Sequence, residues 1–225
     1  MEKVTTRCKD FNHPEFRLHY DETRALPEWA DWLVDYLEGA VAAGTKFSDA
    51  ETIQVGWLLL FIQKNPDGTL SLREPEVGTL PIEWSDSVTS TVQHVHLQKY
   101  AADSLGMTEK MIFPSFQEDA IVCNKLAETS AYLAYREVTP EHDDSGWVIF
   151  CGEEHDHSAD NLQAISLYEC ICQKPDLIPF LALPPGISVV VIEGALFEVK
   201  YEGQSLPMAP GSYLEAKLKQ MAGEA

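Results

Sequence analysis

Basic residues are scarce in this chain: sixteen Lys and Arg stand against thirty-six Asp and Glu, a formal charge of −20 with neutral histidines. Such a surplus of carboxylates argues against a nucleic-acid binder, which needs clustered cations to neutralise phosphates, and makes a basic protein the expected partner. Long apolar runs are missing as well. The longest, Gly56 to Ile62, falls far short of the roughly twenty residues that span a bilayer, so no membrane segment is expected. Met1 to Cys8 has no apolar core of a secretion signal, and the mature chain is expected to begin near Met1. Cysteine is sparse, five residues with no C-x-x-C pair, which reads as reduced thiols and a cytoplasmic protein. No phosphate-binding glycine loop, no nucleophile elbow and no fixed-period repeat occurs, so neither catalysis nor a cofactor is expected.

What is present is the composition of a folded protein. At 45% apolar residues, a chain of 225 can bury one large core or two small ones. Pro27, early acids and the stop at Gly44 predict a helix over 27–43. Its stripe of Trp29, Leu33, Tyr36, Leu37, Ala40 and Val41 faces a core, opposite solvated Glu28, Asp31, Asp35 and Glu38. Trp32 lies between the two faces, as core rim or as contact anchor. Residues 52–63 read as one strand covered on both faces, and Asn65-Pro66-Asp67-Gly68 turns it into a hairpin with 69–73. Ser85 or Asp86 would cap a helix carrying Val88, Val92 and Val95, although 91–97 has enough β-branching to be a strand instead.

Loss of periodicity and Pro114 place a boundary near 115. Beyond it, short strands are expected at 120–124, 131–136, 147–152, 187–192 and 197–201, with helices at 165–172 and 212–221. The whole reads as an α+β fold of two subdomains, each a mostly antiparallel sheet with packed helices. The divisions are 1–114, 115–205 and a helical tail at 206–225.

The charge is uneven. Between Glu137 and Gln173 there is no Lys or Arg, and nine carboxylates gather there, with clusters on either side of the strand at 147–152. Glu141, Asp143, Asp144, Glu153, Glu154, Asp156 and Asp160 are therefore candidates for a docking face toward a cationic protein, against the plainer reading of a solvated surface. Trp147 is either an aromatic anchor of that face or core. His155 and His157 about Asp156 raise a metal site, but two ligands on a loop need two more, from His142, Glu153, Glu154 or a distant histidine, and no metal is assigned. Cys123 and Cys151, inside strands, are expected to be buried as small apolar side chains.

Ile121-Val122-Cys123-Asn124-Lys125, Ala134-Tyr135-Arg136-Glu137 and Asp144-Ser145-Gly146-Trp147 through Gly152-Glu153-Glu154 together resemble the bacterial immunity protein 33 domain family. The likeness runs over about 119–199, through Ser166-Leu167, Pro175 to Leu181 and Pro185-Gly186. Thr52 to Trp57 and Asp86 to Thr91 look like the region that accompanies this domain in longer members. The chain departs where the family tends to read Gly-Asp-Glu, having Gly152-Glu153-Glu154, and in its His155-Asp156-His157 stretch. The resemblance implies a non-enzymatic antidote to a toxin delivered between competing bacteria, acting by stoichiometric binding. Two rivals remain: a metal-dependent hydrolase-like enzyme using the His155 and His157 acidic cluster, and a regulatory or scaffold module.

Overall fold

A computed structural model describes residues 1–139, 142–154, 156–193 and 195–221. The fold is α+β, and it divides into two compact units, Met1–His96 and Leu97–Ala225. Among the described residues, no helix is long and apolar enough to cross a membrane.

The first unit holds β1 (Glu2–Val4), β2 (Phe16–His19), α1 (Pro27–Ala42), β3 (Thr52–Val55), β4 (Leu58–Lys64), β5 (Leu70–Pro75) and β6 (Trp84–Ser85). Its sheet runs β1-β2-β5-β4-β3, with β6 on β5, and only β2 and β5 pair in parallel. Leu33, Leu37 and Val41 of α1 join Phe16, Leu18, Leu60 and Ile62 of the sheet in one buried cluster. Two expectations for α1 need correction. Tyr36, placed on the stripe, is exposed, while Glu38, placed in solvent, is buried. The carboxylate turns inward because it accepts the backbone N–H groups of Thr6 and Arg7 at 2.6 and 3.1 Å, together with Nε of Arg7.

The expected single strand over 52–63 is two strands. The chain reverses at Gly56, whose φ of +63° suits a residue without Cβ, and β3 pairs antiparallel with β4. The apolar run hides the turn because Trp57, its second residue, is itself fully buried. The hairpin of β4 and β5 forms as expected. Residues 91–97 are helical, within α2 (Thr89–Ser104). Its cap is neither Ser85 nor Asp86. Ser87 Oγ accepts the N–H of Thr89 at 3.0 Å, and the buried carboxylate of Glu74, on β5, accepts those of Ser90 and Thr91 at 3.0 and 2.7 Å. A carboxylate at this position meets both the orphan donors and the positive end of the helix dipole.

The second unit contains β7 (Asp119–Cys123), β8 (Ala131–Arg136), β9 (Asp144–Cys151), β10 (Leu162–Ser166), α3 (Leu167–Gln173), β11 (Ile187–Ile192), β12 (Ala195–Tyr201), β13 (Gln204–Ser205) and α4 (Tyr213–Met221). Its seven strands run β10-β7-β9-β8-β11-β12-β13, and β7 with β9 is the one parallel pair of that order. Tyr132, Ala134 and Arg136 form the buried face of β8, alternating with Ala131, Leu133 and Tyr135. The helix expected at 165–172 starts two residues later, because Ile165 and Ser166 finish β10 and Ser166 Oγ then caps α3 by accepting the N–H of Glu169 at 3.2 Å. Residues 97–114 pack within this unit: Gln98 Nε2 donates to Ile178 O at 3.1 Å, and Ile112 N to Ala182 O at 2.9 Å.

Candidate functional site

The acidic residues singled out from the sequence lie at the two ends of β9. Asp143 is exposed and Asp144 half-buried where the strand begins. Glu153, Glu154, Asp156 and Asp160 are exposed beyond the point where it ends. Eight residues of strand hold the two groups about 23 Å apart. Because β7 lies parallel to β9, Glu118 and Asp119 fall at the first end, while Asn124 and Lys125 fall at the second. The neighbouring β10 brings Asp160 to that second end, where Asn124 N donates to Asn161 O at 3.0 Å. Asp143, Asp144, Glu153, Glu154 and Asp160 take part in no ion pair among the described residues. Glu141 and His155 lie outside the described residues.

Trp147 is not a surface anchor. It is fully buried, and its indole N–H donates to Leu181 O at 3.2 Å. The Asp144-Ser145-Gly146-Trp147 motif in fact builds the start of β9. Gly146 N donates to Asp144 Oδ1 at 2.8 Å, Ser145 Oγ to Asp119 O at 2.7 Å, and Trp147 N to Ser145 Oγ at 3.2 Å. At Gly146 φ is +76°, and a Cβ there would sit 2.3 Å from the carbonyl oxygen of Glu137. Aromatic surface near the second acidic end comes instead from half-buried Phe150, whose ring stands edge-on to His157 at 5.1 Å and lies 5.7 Å from that of Tyr135. Trp32 belongs to the first unit, half-buried, stacked on Tyr36 at 5.8 Å and edge-on to His96 at 5.7 Å.

Arg136, quoted above only as part of a resemblance, organises the second unit. It is buried, with Nε donating to Ser145 O at 3.0 Å and Nη1 to the carbonyls of Ile112, Leu181 and Leu183 at 2.7, 3.2 and 2.8 Å. Burial lowers its pKa to about 10, which leaves it cationic near neutrality.

Sequence spacing misses one cluster. Cys123 and Cys151 end β7 and β9, and parallel pairing sets those ends side by side. Their sulfurs are 3.3 Å apart, and Nε2 of His157 lies 3.3 Å from Cys151 Sγ. All three donor atoms fall within 4.8 Å of one another. Both cysteines are buried, as expected, and His157 is half-buried. Cys123 Sγ accepts a backbone N–H from two residues further along, Lys125 N, at 3.4 Å. Burial, aided by the sulfur of Cys123, raises the Cys151 thiol pKa above its ordinary value. The companions that His157 lacks in sequence are thus cysteines 34 and 6 residues upstream, a separation that matches no recognised ligand pattern.

Comparison with curated proteins and with solved structures gives no match. The family model of the Imm33-like domain matches residues 97–201, starting at the first residue of the second unit. An immunity-type family suggests a partner toxin and a non-enzymatic role. The second unit of this chain therefore carries an Imm33-like domain, of the immunity protein 33 kind that its motifs resemble.

Proposed function

We propose that this protein is an immunity protein that neutralises a cognate toxin in the cytoplasm by direct, stoichiometric binding, with the acidic ends of β9 as its docking face. The Imm33-like match over 97–201 carries the reading. Exposed Asp143, Glu153, Glu154, Asp156 and Asp160, in a stretch without Lys or Arg, support a basic target surface such as a nuclease cleft. Fields of this kind speed encounter and fix orientation, while a few well-packed side chains slow dissociation. Phe150 takes the anchoring role first considered for Trp147, and Trp32 remains an anchor candidate on the first unit. Bond-making is not required: occlusion of the toxin suffices.

The test pairs the protein with the toxin encoded beside it, reading protection in cells and association rate in vitro. Asp143→Asn with Asp144→Asn removes charge at one end of β9. Glu153→Gln, Glu154→Gln, Asp156→Asn and Asp160→Asn remove it at the other. At least one set is expected to slow association about tenfold at low salt and to flatten its salt dependence. Unchanged binding when both sets are neutralised would exclude the acidic face, and protection at a small fraction of one inhibitor per toxin would exclude stoichiometric binding.

A further inference from the structure

We propose that Cys123, Cys151 and His157 form a zinc site that fastens the acidic segment after β9 to the adjoining ends of β7 and β9. The ligand types suit a soft or borderline cation: two thiolates and one imidazole favour zinc over magnesium or calcium, which take oxygen donors. The geometry is close to what the ion needs. With Zn–S bonds of about 2.3 Å and a tetrahedral angle, two sulfurs sit about 3.7 Å apart. The sulfurs here are separated by 3.3 Å and the imidazole nitrogen stands 3.3 Å from one of them, so opening by a few tenths of an ångström admits the metal.

The peptide N–H of Lys125 provides an independent argument, because it donates to Cys123 Sγ at 3.4 Å. Such donors stabilise a thiolate and do little for a neutral thiol, and they are the outer contacts that metal-bound cysteines use. A disulfide would account for the two sulfurs but not for the imidazole beside them. Binding would displace the two thiol protons to solvent, and the three protein ligands would leave one tetrahedral position for water or a further donor.

The topology explains what the ion would do. Cys123 and Cys151 are set in the sheet, whereas His157 follows Glu153, Glu154 and Asp156. Joining the imidazole to the strand ends closes a loop that starts at Cys151 and carries those carboxylates. This inference does not depend on the proposed toxin-binding role, and metal content is read without any toxin.

The full chain, purified under reducing conditions, is incubated with zinc, desalted and analysed for metal, and cobalt(II) is titrated in parallel as a spectroscopic probe. The expected result is one zinc per chain and a cobalt spectrum with thiolate-to-metal charge-transfer bands and tetrahedral d–d bands. Cys151→Ser and His157→Gln are each expected to weaken zinc binding by more than about 100-fold, beyond the loss from disturbing an outer contact, while Cys8→Ser and Cys172→Ser leave it unchanged. Should Cys151→Ser fail to fold, the wild-type cobalt spectrum and the His157→Gln variant on its loop decide the matter. Absence of zinc uptake by the reduced chain overturns the proposal. So does uptake that survives both ligand substitutions, which would assign the metal to surface carboxylates, or a cobalt spectrum without thiolate bands.

Discussion

In the first unit, the charged side chains that reach inside are carboxylates. Glu15 accepts the N–H groups of Cys8 and Lys9, Glu38 those of Thr6 and Arg7, and Glu74 those of Ser90 and Thr91. In the second unit the corresponding work falls to cations. Arg136 donates to four carbonyls, and Lys174 Nζ donates to Thr129 O at 2.5 Å. The difference follows from which backbone groups each fold leaves orphaned. Helix and 3-10 starts expose N–H groups, which call for acids, whereas the irregular segment at 112 and the turn at 181–183 expose C=O groups, which call for a branched donor. A charge of −20 is therefore not one property. Part of it is interior scaffolding in the first unit, and part is solvent-facing in the second.

Breaking the cationic hub should have the largest effect. Arg136→Met leaves four carbonyls without their donor and is expected to destabilise the second unit by more than about 4 kcal/mol, read by denaturant unfolding of Trp147 fluorescence in a chain lacking the other tryptophans. Acid should separate the units in the opposite sense. His94, buried where Trp57 Nε1 donates to its Nδ1 at 3.2 Å, has its pKa lowered by burial from 6.5 to about 4. The stability it contributes is complete above about pH 6.5 and is lost as pH falls toward 4, a loss of about 3 kcal/mol. For Glu15 and Glu38 burial acts to raise the pKa, but their hydrogen-bond donors outweigh it and hold both below 4.5, so they add to the loss only in more acid solution. Arg136 stays charged throughout. Hydrogen exchange followed from pH 7 to pH 4 should show residues 1–96 losing protection before the interior strands of the second sheet.

Smaller changes sharpen the same contrast. Glu74→Gln keeps the shape of the α2 cap but removes its charge, and is expected to cost about 1–2 kcal/mol in thermal unfolding of the first unit without altering the second. Trp32→Ala, on a half-buried side chain, should cost about 1 kcal/mol or less. Any larger effect on toxin affinity than on melting temperature would mark it as an anchor.

Much of this architecture could be read from the sequence because it rests on local signals. Pro27 with its apolar stripe, the turn at residues 65–68 and the alternation of 131–136 each report a nearby constraint. The misses share a long-range origin. Nothing near Thr89 announces that Glu74 caps it, and nothing near Glu38 announces that Thr6 and Arg7 need an acceptor. The reversal at Gly56 is hidden because both flanking strands and the turn tryptophan are apolar. At the candidate site, the acidic clusters were visible as composition and their positions at the two strand ends followed from the position of β9. Trp147 could not be assigned to surface or interior, since both use large aromatics. The thiol and imidazole cluster was invisible because a parallel pairing, not spacing, brings Cys123 to Cys151.

The length of β9 sets how its two negative poles behave in salt. A Debye length of about 8 Å at physiological ionic strength is roughly a third of the distance between them. Each pole therefore pulls on an approaching cation as though the other were absent. A partner that grips only one of them would keep its full attraction after the other is erased, while a partner long enough to bridge both would lose grip in two independent, multiplying steps.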